Sequence, residues 1–72
     1  MDKDLTKLGN RLKHFRKIKG YSNYERLAYD MGISRTQYGK YEAGGNIKYT
    51  TLVKILRHIN VPLKDFFQDG FD

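Results

Sequence analysis

The sequence predicts an all-α protein, a compact bundle of five short helices. Apolar residues recur at three- and four-residue steps along most of the chain, which is the spacing of one helix face. No segment alternates apolar and polar residues as a half-buried strand does. With 72 residues and no internal repeat, the chain suits a single domain over residues 1–72, and we expect its core to span residues 5–67.

The first helix is predicted from an apolar stripe near the N-terminus. The members of this stripe are Leu5, Leu8, Leu12 and Phe15. Lys and Arg occupy much of the remaining helix surface. We expect the helix to stop near Gly20, because glycine readily adopts the left-handed backbone that closes a helix.

The second helix follows a capping signature, in which Ser22 and Glu25 form the pattern S-x-x-E. The Ser22 hydroxyl can accept from the Glu25 amide, and the carboxylate can reach back. The helix is expected to run to about Asp30, and Gly32 then permits a tight turn. Its buried residues are predicted to be Leu27, Ala28 and Met31.

The third helix follows a second signature of the same kind. Ser34 and Gln37 form S-x-x-Q, which predicts that Ser34 caps a helix over residues 35–43. The pair Gly44 and Gly45 is interpreted as the stop of this helix.

The fourth and fifth helices lie in the last third of the chain. Either Thr50 or Thr51 is expected to cap the fourth helix, and Asn60 to close it. Its apolar stripe comprises Leu52, Ile55, Leu56 and Ile59. A last short helix is predicted over residues 63–67, with both of its phenylalanines turned inward.

The positive charge is unevenly placed along the chain. The formal net charge is +6, and residues 1–48 hold this whole excess with 11 basic and 5 acidic residues. A small domain with a one-sided positive field suits a polyanion, either nucleic acid or an anionic membrane surface. A merely solubilising surface is the alternative. The membrane interpretation is the weaker one, because the core needs the apolar stripe of the basic first helix.

Several chemistries are excluded by what the sequence lacks. There is no Cys, so neither a disulfide nor a thiolate zinc site can form. His14 and His58 are far apart and have no local ligand cluster. No glycine-rich phosphate loop or Ser-His-Asp arrangement is visible. We therefore predict no enzyme activity, no metal, no cofactor and no small-molecule ligand. No apolar run approaches the roughly 20 residues that span a bilayer, and we expect a cytoplasmic protein.

Two capped helices joined by a tight turn form the layout of a helix-turn-helix, here over residues 22–43. Ala28 lies where the two helices would cross, and a larger side chain there would push them apart. Gly32 permits the turn. A wedge of core is expected to fix the angle between the helices, formed by Leu27, Met31, Ile33, Tyr38 and Tyr41.

At this point the sequence resembles a known family, the phage-repressor and Cro-type (xenobiotic-response-element) helix-turn-helix domains, over residues 6–67. Residues 8–16 resemble the first helix of the family, and residues 27–35 its second helix and turn. Residues 41–44 are similar to the close of the recognition helix, and residues 61–67 to the last helix. The resemblance implies a lambda-repressor-like fold and a regulator of transcription that binds double-stranded DNA of bacterial or phage origin.

The resemblance also implies roles for individual residues. A Glu at the position of Glu42 pairs in the family with an Arg on the first helix, so Arg16 and Glu42 are expected to form an internal ion pair. Either Asn23 or Tyr24 takes the place of a usual Gln. Tyr38 stands where Ile or Val is usual.

The recognition helix is predicted to turn one face toward the major groove. At about 100° per residue, Tyr38 and Tyr41 share one side, which we interpret as the buried side. The opposite side presents short polar and basic residues whose donors and acceptors match base edges. The candidate base contacts are Arg35, Thr36, Gln37 and Lys40. Gly39 lies in the middle of this face, either because DNA approaches it closely, which we favour, or because a neighbouring helix packs there.

Contacts to DNA phosphates are predicted at the two rims of the recognition helix. The candidate residues are Asn23, Tyr24, Ser34, Asn46, Lys48 and Tyr49. For Tyr49 the alternative is a hydrophobic lid on the fourth helix, and the sequence does not decide between the two.

The leading functional hypothesis is sequence-specific binding of double-stranded DNA by a repressor-like transcriptional regulator, with a homodimer forming on DNA. The alternative is a protein-interaction module, such as an antitoxin or the target of an anti-repressor, built on the same fold. Such a module would hold its partner either with its helix-turn-helix surface or with the aromatic residues Tyr21, Tyr24, Tyr29 and Phe71.

Overall fold

The protein is a bundle of five helices in a computed structural model that describes residues 3–68. They are α1 (Lys3–Ile18), α2 (Tyr24–Met31), α3 (Arg35–Glu42), α4 (Tyr49–His58) and α5 (Leu63–Phe66). No strand occurs between residues 3 and 68. The all-α prediction and the number of helices are therefore confirmed. None of the helices in this part of the chain is long and apolar enough to cross a membrane.

The turn between α2 and α3 closes as the sequence predicts. Gly32 has a φ of 70°, in the left-handed region that a residue with a Cβ rarely adopts. The Ile33 amide donates to the Ala28 carbonyl at 2.9 Å, and the Gly32 amide donates to the Tyr29 carbonyl at 3.1 Å. These two bonds form the Schellman pattern and turn the chain directly into α3.

Of the capping residues predicted for α2, α3 and α4, the one for α3 is confirmed and the other two are wrong. Ser34 caps α3, and its Oγ accepts from the Gln37 amide at 3.1 Å. The cap of α2 is Asn23 rather than Ser22, because the Asn23 Oδ1 accepts from the Arg26 amide at 2.9 Å. Asparagine is as good a cap as serine, so the motif alone did not decide between neighbours.

The fourth helix begins earlier than expected from a cap at Thr50 or Thr51. Lys48 occupies its capping position without a side-chain hydrogen bond, and Tyr49 is its first residue. Ile47 packs against the core, and Leu52 is buried one turn inside the helix. These are the two positions of a hydrophobic staple, which fixes the entry of a chain into a helix without a polar cap. Asn60, with a φ of 60°, closes α4 as expected.

The core lies between the helices and joins all five of them. Its buried apolar residues are Leu12, Leu27, Ala28, Tyr38, Tyr41, Leu52, Ile55, Leu56, Ile59, Val61 and Phe66. Leu8, Phe15, Met31 and Ile33 are only partly buried at its margin. The prediction that Phe67 turns inward is wrong, since it is 37% exposed. Consecutive helical residues point about 100° apart, so only Phe66 reaches the core.

Gly9, whose role the sequence did not predict, allows α1 to cross α3 at very short range. Gly9 is buried, and a Cβ placed on it would lie 2.7 Å from the carbonyl oxygens of both Tyr41 and Glu42. These oxygens belong to the last turn of α3, so the two helix backbones meet without a side chain between them. This crossing holds the recognition helix against α1.

Candidate nucleic-acid interface

The third helix presents a polar and basic face to solvent. All four residues predicted to contact bases are exposed, namely Arg35, Thr36, Gln37 and Lys40. Behind them, Tyr38 is fully buried and Tyr41 nearly so. The helix is therefore oriented as the periodicity predicts, with two tyrosines supporting it from the core. No other element among residues 3–68 packs over this exposed face of α3.

Gly39 does not leave open room beside this face. A Cβ at this position would lie 3.0 Å from the Tyr24 hydroxyl oxygen and 3.2 Å from Cζ of the same ring. This geometry supports the second interpretation of Gly39, packing against a neighbouring helix, while the close approach of DNA stays a prediction. The neighbour is the first residue of α2.

Tyr24 is held in this place by a second contact. Its ring stacks on that of Tyr38, with centroids 5.9 Å apart and planes inclined by 26°. Its hydroxyl has no hydrogen-bond partner among residues 3–68 and is not enclosed. The ring thus belongs to the packing, while the hydroxyl remains available to an outside partner at the edge of α3.

Two of the predicted phosphate ligands also serve as helix caps. The Ser34 Oγ and the Asn23 Oδ1 each accept a backbone amide at the start of a helix. Both groups keep a donor, the hydroxyl hydrogen of Ser34 and the side-chain NH₂ of Asn23. Their exposed donors are of the kind that contacts a phosphate oxygen.

The loop after α3 lies along the other edge of the recognition helix. Asn46 and Lys48 are exposed there and line a groove of about 570 Å³ together with Gln37 and Tyr41, hereafter the loop groove. Tyr49 is 63% exposed, so it does not form a hydrophobic lid on α4.

A second groove, of about 440 Å³, borders the opposite edge of α3. Its walls come from three helices, and the residues that define it are Lys13, Lys17, Tyr24, Gly39 and Ala43, hereafter the corner groove. Gly39 lies three residues after Thr36, and Ala43 lies four residues after Gly39, so the two line one edge of the exposed face. Gln37 and Tyr41 lie on the other edge of this face. The two grooves therefore flank the exposed face of α3. Sequence reasoning missed Lys13 and Lys17, although their four-residue spacing places both on one side of α1.

The ion pair that the resemblance implied is present between α1 and α3. The Arg16 Nε donates to Glu42 Oε2 at 2.7 Å, and the Nη2 donates to Oε1 at 3.3 Å. The Arg16 Nη1 also donates to the Tyr21 carbonyl. Both side chains are more than nine-tenths buried. Arg16 therefore ties α3 and the loop before α2 to α1, and it is not exposed to DNA.

The Tyr38 hydroxyl is the one enclosed side-chain polar atom of residues 3–68 that makes no hydrogen bond of normal geometry. Burial raises the pKa of this phenol, and the nearby Glu42 carboxylate raises it further. A group whose pKa is raised by folding keeps its proton in the native state after the unfolded chain has released it. Its contribution to stability is therefore lost as pH rises above the unfolded value of about 10.

We expect the substitution Tyr38→Phe to stabilise the protein. It removes a buried hydroxyl without a partner while keeping the ring, and such a group costs about 1–3 kcal/mol. Urea unfolding followed by circular dichroism should show a higher midpoint for Tyr38→Phe than for the parent at pH 7. The difference between the two midpoints should increase above pH 10. A lower midpoint at pH 7 would instead reveal a hydrogen bond from Tyr38 to Glu42.

His58 makes a polar contact with the loop before α2. His58 Nε2 lies 3.1 Å from the Tyr21 hydroxyl, which also lies 2.9 Å from Asp30 Oδ2. No group of three or more metal-ligating side chains occurs among residues 3–68. The Tyr21 contacts link the loop before α2 to the ends of α2 and α4.

The fold and the exposed face of α3 define a helix-turn-helix domain of the DNA-binding kind. A family model described as Helix-turn-helix matches residues 12–66, three quarters of the chain. The protein belongs to this family, the Cro/C1-type helix-turn-helix regulators, which bind double-stranded DNA and are not enzymes. Neither the curated proteins nor the solved structures gave a match to the chain.

Proposed function

We propose that the protein binds a specific sequence of double-stranded DNA and acts as a repressor-like regulator of transcription. The observation that carries the proposal is the orientation of α3. Two buried tyrosines support this helix, and four short polar or basic side chains project from it into solvent. A helix of this form fits the major groove, where each base pair shows a distinct pattern of donors and acceptors.

Each exposed residue of α3 has a role that its chemistry supports. Arg35 donates to the O6 and N7 of guanine, and Lys40 contacts either a guanine or a phosphate. Gln37 bridges N6 and N7 of adenine. The methyl group of Thr36 contacts a thymine methyl, and its hydroxyl bonds a base edge.

The rims of α3 supply contacts to the DNA backbone. Along one rim the donors come from the start of α2 and the cap of α3, and along the other from the loop after α3 and the first residue of α4. These residues are Asn23, Tyr24, Ser34, Asn46, Lys48 and Tyr49. Such contacts set the position and orientation of the protein on the duplex without reading its sequence.

A single domain of this size reads only a few base pairs, so we propose that two copies bind together. In such a homodimer the two recognition helices lie about 34 Å apart, one turn of DNA. The operator is then a palindrome whose half-sites have this spacing. The site of action is the cytoplasm, on bacterial or phage DNA.

Selection of bound duplexes from a random pool tests this proposal directly. We expect one enriched motif with two-fold symmetry. A pool that stays random after selection would contradict sequence-specific recognition, whereas a motif without symmetry would contradict only the homodimer.

Two substitutions separate base contacts from phosphate contacts. We expect Arg35→Ala to cost about 1–3 kcal/mol on the selected sequence and to relax the preference at one base pair. Lys48→Ala is expected to weaken binding to all duplexes alike and to reduce the salt dependence. Fluorescence anisotropy titrations on the selected and on random duplexes measure both effects. Equal behaviour of the two variants on both duplexes would remove Arg35 from the base contacts.

The second candidate function, a protein-interaction module, depends on exposed aromatic residues. Of the four that the sequence suggested, Tyr29 is 82% exposed and free to meet a partner. Tyr24 is stacked on Tyr38, and Tyr21 is engaged with Asp30. Phe71 lies outside the described residues. This function predicts weak binding to DNA of any sequence, and the selection experiment distinguishes it from the first.

A further inference from the structure

The corner groove brings positive charge to an edge of α3 where the other candidate phosphate ligands are neutral. Lys13 and Lys17 are exposed on α1, and they line this groove together with Tyr24 of α2 and Gly39 of α3. Neither lysine forms an ion pair with any residue between 3 and 68. Asn23 and Tyr24, at the start of α2, carry no charge. The lysines are therefore the two cations of the corner groove that no carboxylate of the described region pairs with.

The course of α1 explains why these two lysines lie beside the recognition helix. Gly9, Lys13 and Lys17 are spaced by four residues, so they form one row along α1. Gly9 lies directly against the last turn of α3, as its short distances to the Tyr41 and Glu42 carbonyls show. The row then continues past the end of α3 toward the start of α2, at about 6 Å per step.

The acidic residues of the groove do not cancel this charge. Glu42 lies at its base, but Arg16 neutralises it in the buried ion pair. Glu25 is exposed and makes no ion pair with the described residues. One carboxylate thus opposes two ammonium groups, and it lies in the first turn of α2, where the helix dipole compensates it.

We propose that the corner groove binds a phosphate of the DNA strand opposite the one held at the loop groove. Lys13 and Lys17 supply the charge, and the Tyr24 hydroxyl donates a hydrogen bond. This inference rests on the proposed function, because it assumes that α3 enters the major groove. A helix in that groove has a sugar-phosphate backbone on each side, and the loop groove, with Lys48, faces only one of them.

Gly39 acts in this site as a positioning residue. The absence of a Cβ lets the Tyr24 ring, which lines the groove, lie against α3 with its hydroxyl beside Gly39. Stacking on Tyr38 fixes the plane of the ring. Since a phenol is neutral, its contact adds affinity without releasing a counterion.

The salt dependence of binding to a random-sequence duplex tests the proposal. Each phosphate neutralised by a lysine contributes about 0.9 to the slope of log K against log salt. We expect the double variant Lys13→Gln/Lys17→Gln to lower the slope by about 1, since the two lysines share one phosphate, and each single substitution to lower it by less. The matched control is Lys7→Gln on the same helix, which is exposed but does not line the groove, and its slope should equal that of the parent. Tyr24→Phe should lower affinity severalfold at unchanged slope.

The outcomes separate this inference from the proposed function. If the parent protein shows no salt-dependent binding to a duplex, the proposed function fails. If the parent binds and Lys48→Gln reduces the slope, but the double variant Lys13→Gln/Lys17→Gln behaves as Lys7→Gln does, the corner groove is not a phosphate site. Thermal unfolding of every variant checks that each remains folded, and glutamine is suited to this test because its helix propensity matches that of lysine.

Discussion

The variant Glu42→Ala is expected to lose most of its folding free energy. Removal of the carboxylate leaves the Arg16 guanidinium more than nine-tenths buried without a counterion. Breaking a buried pair from one side costs about 3–5 kcal/mol. A domain of this size has only about 5 kcal/mol of stability in total, so a large fraction of the variant should be unfolded at 25 °C. Urea titration followed by circular dichroism measures the loss.

A double variant shows how much of this loss comes from the unpaired charge. Arg16→Met combined with Glu42→Leu removes both charges and keeps apolar volume, and such replacements of buried pairs are often neutral or stabilising. We expect the double variant to be more stable than either single one. A Glu42→Ala protein within 1 kcal/mol of the parent would mean that water reaches Arg16 and that the pair contributes little.

The local features of the fold could be predicted because they depend on neighbours in sequence. The Ser34 cap and the turn at Gly32 each require only residues within one helical turn, and both occur as predicted. The start of α2 shifted by one residue because Ser22 and Asn23 are equally good caps. In α4, a packing contact of Ile47 replaced the polar cap.

The long-range contacts could not be predicted from spacing. Arg16 and Glu42 are 26 residues apart, and only the resemblance to a family indicated their pairing. Periodicity placed Gly39 on the outer side of α3, but it carries no information on a neighbouring helix. Whether Tyr24 or DNA fills that space depends on how α2 crosses α3, which is a tertiary property.

For the candidate interface, the sequence predicted which side of α3 is exposed but not which parts of α1 accompany it. The two tyrosines of α3 define the buried side by their three-residue spacing, so the four exposed positions follow. The contribution of Lys13 and Lys17 requires the crossing of α1 over α3 at Gly9. A glycine inside a long helix was the available signal, since it weakens a helix and so indicates a close contact.

The substitution Gly9→Ala is expected to destabilise the protein by about 2–3 kcal/mol, the upper range for an overpacked core. The added Cβ would lie 2.7 Å from two backbone oxygens of α3. Backbone atoms inside a helix cannot move individually, so α1 and α3 must separate. Helix propensity alone would favour alanine by about 1 kcal/mol, so the sign of the measured change identifies the cause. Chemical unfolding at pH 7 gives that sign.

Gly39→Ala is the matched control for this prediction, because it makes the same change in the other helix. Its Cβ would meet the end of the Tyr24 side chain at 3.0 Å, and this side chain can shift by the few tenths of an ångström required. We therefore expect Gly39→Ala to change stability by less than about 1 kcal/mol, as the propensity gain offsets the contact. Equal losses at both sites would contradict the close crossing of α1 and α3. A loss confined to Gly9→Ala would establish that direct backbone contact holds the recognition helix in place, with the buried ion pair as its second attachment to α1.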